Sequence, residues 1–286
     1  MNVRTPCVAG AFYPGSAREA RRQIDAFVQQ ATGQVAGRVV AGIVPHAGWV
    51  YSGPTAAHLF SALQAQEPPE TVILFGAVHR WPLRAPALYG AGAWRTPLGE
   101  IAIDEALAQA VRQADPRFEE RPEAHEEEHS IEVQVPFVQH LWPEARILPI
   151  AMPPLQSAPA LGRAVARAAA SLGRRAVALG STDLTHYGPS YGMAPAGVGP
   201  QGLAWAKEND RRLLELVLAL DAEGVLAEAR ARHNACGPGA VAAAIGYALE
   251  MGATQAALLH HTTSHEAHPT GRPSDLVGYA AIALLA

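Results

Sequence analysis

The chain has 286 residues, of which 49% are hydrophobic and 17% charged, and a formal net charge of −4. That length and apolar share suit one large α/β domain or two small ones. The weak acidity argues against a nucleic-acid partner, and the lack of any run of about 18 apolar residues argues against a membrane span.

The N-terminus, MNVRTPCVAGAFYPG, lacks the charged-then-apolar layout of a signal peptide, so a cytoplasmic protein is expected. Cys7 and Cys236 read as free or metal-bound thiols rather than a disulfide. The lone lysine, Lys207, gives little scope for Schiff-base chemistry. Neither glycine-rich phosphate-binding string occurs.

In chain order, Ser16 is placed to cap a helix over Ala17–Gln30 with Phe27 facing inward. Val39–Val44 reads as a buried strand that ends at Pro45 and His46. Pro54 marks a helix start, with Thr55–Leu63 following. Thr71–Phe75 is a second buried strand, leading to His79; Ala87–Tyr89 and Trp94–Ile103 look like hairpin material. Helices are expected over Asp104–Ala114 and Glu126–Leu141, the second kinked or restarted at Pro136. Arg146–Ala151 is a strand, Ala158–Leu172 a helix, and Ala176–Leu179 a strand ending in GSTDLTHYG. Helices follow at Leu203–Leu218, Asp221–Arg230 and Pro238–Glu250, then strands at Ala256–His261 and Val277–Leu284. The Gly- and Pro-rich stretch Gly188–Pro200 reads as a surface excursion near the site. The alternation argues for a single α/β domain over 1–286, a mostly parallel or mixed sheet flanked by helices on both faces.

Three groups of residues carry chemistry. The first is His46, His79 and Cys236. Both histidines follow buried strands, where open α/β sheets bind ligands. Cys236 precedes a helix whose positive end should lower its thiol pKa. Two imidazoles and a thiolate leave coordination positions open and suit iron, copper or zinc better than magnesium or calcium. Taken singly, each residue reads as readily as a core cysteine or a turn histidine.

The second group is Asp183 and His186 in GSTDLTHYG. An Asp three residues before a His can orient the imidazole for proton transfer; the plain alternative is an Asx turn beside a solvated His. The third is HEEEHSIE, with His125, His129 and Glu132. Its letters satisfy the zinc pattern H-E-x-x-H, but three acidic residues between the histidines leave nothing to hold a helix against a core, so an acidic turn competes with that reading. His260, His261, His265 and His268 have no clean ligand spacing and read as mostly structural.

The strings AGAFYPG, PHAGWVYSG, LFGAVH, WRTPLGE, EHSIEVQVPF, GSTDLTHYG, NACGPGAV and VGYAAIAL occur in this order across nearly the whole chain. Together they resemble the Memo family, protein B of the AmmeMemoRadiSam system. The resemblance implies a class III extradiol dioxygenase-like fold and metal ligands at His46, His79 and Cys236. It puts Asp183 and His186 in the same cavity, His186 in the place of a catalytic base, and His129 and Glu132 close by. Extradiol enzymes carry a glutamate where this chain has Cys236, which sets ordinary ring cleavage in doubt. The chain also departs from the family in GAVHR around His79 and in TSHEAH near the C-terminus. The resemblance further implies iron as the metal, with copper or zinc as alternatives, and radical-SAM and AMMECR-type system partners.

The leading expectation is a metal-dependent, dioxygenase-like oxidoreductase acting on a small molecule. Two other readings stand beside it: a metal-free Cys236–His186–Asp183 hydrolase, and a non-catalytic metal, redox or peptide-binding adaptor.

Overall fold

The computed structural model describes residues 2–286. Its first half runs β1 (Val3–Arg4), α1 (Ala17–Gln30), β2 (Val39–Val44), α2 (Trp49–Gln64), β3 (Thr71–Gly76), β4 (Ala87–Leu88), β5 (Ala93–Thr96), β6 (Gly99–Ala102), α3 (Glu105–Ala114), β7 (Glu119–Glu120) and α4 (Val135–Leu141). The second half runs β8 (Arg146–Ala151), α5 (Ala158–Ser171), β9 (Ala176–Ser181), β10 (His186–Tyr187), α6 (Pro200–Leu218), α7 (Ala222–Arg232), α8 (Pro238–Glu250), β11 (Gln255–Thr263), α9 (Ser264–Ala267) and β12 (Leu276–Leu285).

Nine strands form one mixed sheet in the order β10-β12-β2-β9-β3-β8-β4-β7, with β11 sharing with β10 the edge of β12 that lies opposite β2. At its centre β2, β9, β3 and β8 are parallel, while β12 runs antiparallel to β2 and β4 antiparallel to β8. The apolar runs VVAGIV of β2 and TVILFG of β3 are buried at every residue, as strands covered on both faces must be. One core, on the side of α3, α5, α6, α7 and α8, is rich in alanine. The other, beneath α1, α2 and α4, holds Trp49, Phe60, Phe137 and Trp142.

Small residues set the helix spacing on the alanine-rich side. A Cβ on Gly162 of α5 would lie 1.9 Å from the Ala243 carbonyl oxygen of α8, and one on Gly246 would lie 2.1 Å from that of Pro159. α8 also lies close to the sheet, since a Cβ on Gly180 of β9 would come within 2.8 Å of the Ala240 carbonyl oxygen, and it crosses β2, β3 and β9, which brings the residues ahead of it to the carboxyl ends of those strands.

Most expected elements are present, and Ser16 caps α1 by accepting from the Glu19 N–H. Phe27 packs edge-on against Trp49. Two expectations need correction. The helix assigned to start at Pro54 starts at Trp49, with Pro54 inside it. The lost donor falls opposite the Val50 carbonyl, on a residue 61% exposed, where solvent can replace it. Of the helix expected over Glu126–Leu141 only the part restarting at Pro136 forms, as α4: before it a 3-10 turn at Pro122–His125 is followed by an irregular turn and a second 3-10 turn at Glu132–Gln134. The acidic run has no apolar stripe to bury, and its residues serve other groups. The hairpin β5–β6 forms, but with β1 it makes a separate three-stranded sheet. No helix among the described residues is long and apolar enough to cross a membrane.

Candidate metal centre

Three adjacent parallel strands, β2, β9 and β3, end at one place. Just past them stand His46, Asp183 and His79, and the loop before α8 adds Cys236. This is the crevice at the carboxyl ends of strands that α/β sheets use for ligands.

His46 is 1% exposed. Its backbone N–H donates to Asp183 Oδ1 at 2.7 Å, and its Nδ1 lies 2.9 Å from Ser181 Oγ. The Ser181 hydroxyl gives its one proton to the Ser130 carbonyl at 2.7 Å. It must therefore accept from His46 Nδ1–H, which leaves the Nε2 lone pair free. Nε2 lies 3.1 Å from Cys236 Sγ.

His79 is fixed in the same way by a different group. Its Nδ1 lies 2.9 Å from Glu128 Oε1, and its backbone N–H donates to Oε2 at 2.7 Å. Ser130 N donates to Oε1 at 2.9 Å. A carboxylate only accepts, so Nδ1 carries the proton and Nε2 is the free atom. Burial works against the Glu128 charge, but these hydrogen bonds and His79 hold its carboxyl well below the usual range. Burial likewise lowers the His79 pKa, and Glu128 more than restores it, to above the ordinary value.

Cys236 lies one residue outside the Gly237 cap of α8. Its Sγ accepts the Asp183 N–H at 3.2 Å, and its own N–H donates to the Asp183 carbonyl at 3.2 Å. Gly237 N donates to Thr182 Oγ1 at 2.9 Å, so the Thr182–Asp183 turn and the Cys236–Gly237 turn hold each other. A Cβ at Gly237 would come within 2.4 Å of the Ser181 carbonyl oxygen. The expected lowering of the thiol pKa by the helix end is not found. Burial, and then the Asp183 charge, push the Cys236 thiol well above its ordinary value. A bound cation would supply the missing charge and hold it as thiolate.

The ligand atoms of His46, His79 and Cys236 lie within 4.8 Å of one another. His79, Glu128 and His129 form a second such group. The Glu128 carboxylate already receives three N–H groups, so the first set is the better cage and Glu128 acts as the group that orients His79. The donors fit a first-row transition metal: two imidazoles, each engaged at Nδ1 from outside so that Nε2 is left for the ion, and one sulfur. Glu128→Gln is expected to weaken metal binding about 10- to 100-fold, as removal of such an outer partner does, measured by competition with a chromogenic chelator.

His129 stacks on His79, with ring centroids 4.8 Å apart and 19° between planes. It meets His46 edge-on at 5.4 Å. With Asp183 and His186 it lines a cavity of about 420 Å³ beside the metal cage. The expected pairing of Asp183 with His186 is corrected. Asp183 caps the His46 backbone instead, and burial raises its carboxyl to about 7. His186 Nδ1 meets the Leu184 carbonyl at 3.1 Å, so Nε2 is the free nitrogen. Its ring packs edge-on to Tyr191 at 5.1 Å, which places the Gly188–Pro200 loop against the site.

Glu132 also needs correction, because its carboxylate does not face the histidines. Both oxygens are taken by the N-terminal segment: Arg4 Nη1 at 2.7 Å, Cys7 N at 2.8 Å, Cys7 Sγ at 3.1 Å, Val8 N at 3.0 Å and the Tyr13 hydroxyl at 2.9 Å. His125, left between a zinc-type helix and an acidic turn, is buried in a 3-10 turn, and its Nε2 donates to the Ala87 carbonyl at 3.1 Å. His265 and His268, read as structural, line the cavity. Glu128 is the residue that sequence reasoning missed: nothing in HEEEH distinguishes it from Glu126 and Glu127, yet it alone of the three is buried.

A mixed α/β sheet carrying a His-His-Cys group at its strand ends, with His46 buried, Cys236 half-buried and His79 open to the surface, defines the class: a single-domain α/β protein with a candidate transition-metal site. The chain belongs to the Memo-like protein family, matching it over residues 4–283. A MEMO1 family protein of Thermococcus onnurineus is 39% identical, with 98% of each chain covered. One of Pyrococcus abyssi is 38% identical, with 99% of each covered. Among solved structures, an uncharacterized protein of Escherichia coli K12 superposes with a TM-score of 0.48 at 14% identity, over 85% of this chain and 99% of that one.

Proposed function

We propose that this protein holds one first-row metal ion, iron by preference, at His46, His79 and Cys236, and uses it in O2-dependent oxidation of a small molecule bound in the adjoining cavity. The observation that carries this reading is the cage itself. Three donor atoms from three separate elements converge within 4.8 Å, and the Nδ1 atom of each imidazole is engaged from outside by Ser181 or Glu128.

A bound iron would supply Lewis acidity and one-electron chemistry. The chain supplies the rest. His186 presents its free Nε2 to the cavity and is the group placed to take or return a proton. Burial depresses its pKa, so it stands neutral and able to accept one. His129 and Asp183 complete the polar floor. Copper and zinc suit the same donors. The adaptor reading, with a peptide in the cavity or radical-SAM and AMMECR-type partners docked outside, draws only on family resemblance. The metal-free hydrolase reading is weaker still. Cys236 Sγ meets His46 Nε2 rather than His186, and Asp183 orients neither ring.

The test is oxygen uptake by protein loaded anaerobically with ferrous iron and then exposed to a panel of phenolic and enolic substrates. Uptake should require iron. His186→Ala should keep the iron and lose uptake by about 100-fold or more, the scale of a general base. Iron-independent uptake, or full uptake in His186→Ala, would contradict the assignment.

A further inference from the structure

The mouth of the cavity carries one guanidinium, that of Arg272, which the metal cage does not use. Arg272, His265 and His268 all line it, and all come from the connection between β11 and β12. Arg272 is held in place: its Nη2 donates to the Val198 carbonyl at 2.9 Å. Gly199 makes room for it, since a Cβ there would lie 2.6 Å from Arg272 Nε, and the backbone at φ +102° favours glycine. Among the described residues the guanidinium makes no ion pair. Its remaining N–H groups are open to a ligand.

The acid on the same rim is already occupied. Asp275 Oδ1 accepts the Ser190 N–H at 2.8 Å, and Oδ2 accepts the Ser274 hydroxyl at 3.4 Å. A Cβ at Gly188 would come within 2.4 Å of Asp275 Oδ1. The two glycines thus seat one charge each, and the loop between them closes one wall of the cavity. Phe12, Tyr51 and Tyr279 add aromatic rings on the other sides, and Tyr191 adds one from the loop itself. At about 420 Å³ the space suits a single-ring molecule.

We propose that the cavity binds a small aromatic acid, with Arg272, aided by His265 and His268, reading the carboxylate at the mouth while the ring lies between the aromatic walls toward His186. A guanidinium fork matches a carboxylate in shape and charge. The proposal rests on the preceding reading only for what happens at the far end of the ring; binding of the acid does not require the metal.

The test is calorimetric titration of the full chain, with and without iron and under anaerobic conditions, using para-hydroxybenzoate and its neutral methyl ester. The acid should bind at least about tenfold more tightly than the ester, the scale of one charge-assisted hydrogen bond in a partly solvated site. Arg272→Gln should bring the acid to the level of the ester and leave the ester unchanged, while Arg272→Lys should keep part of the preference. Equal binding of the two in the native chain, a preference that survives Arg272→Gln, or binding of neither would overturn the proposal. If the preference holds in protein that takes up no iron, only the metal reading falls. If iron binds and no preference exists, only this inference falls.

Discussion

Replacement of Cys236 by alanine should take ferrous iron bound per chain from one to near zero at protein concentrations where the native chain is saturated. The sulfur is one of three donors, and the two remaining imidazoles would hold the ion at least about 100-fold more weakly, since even an outer partner of a ligand is worth 10- to 100-fold. The fold should survive the change. Cys236 Sγ accepts only one backbone N–H, from Asp183, and the interlock between the two turns also runs through Gly237 and Thr182. Metal analysis after gel filtration, with circular dichroism on the same sample, separates loss of the site from loss of the fold. Full retention of iron in the folded variant would remove Cys236 from the cage.

The second large effect concerns stability. Arg4 and Glu132 form an ion pair at 2.7 Å with both side chains essentially buried, across 128 positions of sequence. The Arg4 guanidinium also donates to the His125 and Glu128 carbonyls and sits over the Trp94 ring at 4.2 Å. Glu132→Ala leaves that charge buried with no counter-ion and also strips the Cys7, Val8 and Tyr13 donors of their acceptor. Breaking such a pair costs about 3–5 kcal/mol, which for a domain of this size lowers Tm by roughly 10 °C. Iron per folded chain should remain at one. Burial alone would raise the Glu132 pKa, but Arg4 and the backbone donors bring it below 4.5. The sign of the pH dependence follows. The stabilisation is complete above the unfolded value and is lost as pH falls through the lower folded one, so the variant should also lose part of the acid-side slope of the stability curve. Urea denaturation across acid pH measures both. A small loss of stability together with loss of iron would show instead that Glu132 serves the metal site.

Much of this arrangement is legible in the residues, for identifiable reasons. The bounds of β2, β8, α1 and α8 follow from buried runs, from the Ser16 cap or from a proline at the first helical position, Pro238. Strand ends are where α/β folds place ligands, so His46 and His79 are visible as candidates. Spacing misleads where the backbone is irregular. D-x-x-H implies a contact between Asp183 and His186, but the chain turns between them and starts β10 at His186. His129 and Glu132 would share a helical face, but the turn sends His129 to the site and Glu132 to the N-terminal segment. Glu128 stays hidden because its burial depends on His79, 49 positions away and beyond β3, closing over it, a long-range event with no local signature.

The proposed cage offers the metal two imidazole nitrogens and one sulfur. X-ray absorption at the iron edge of the anaerobically loaded native chain tests it most directly. The expected spectrum has imidazole scattering and one sulfur scatterer at the distance of a metal–thiolate bond, about 2.3 Å, and the sulfur is missing in any iron retained by Cys236→Ala. A spectrum of nitrogen and oxygen scatterers alone in the native chain would contradict the assignment of Cys236 and move the site to the His79, Glu128 and His129 group.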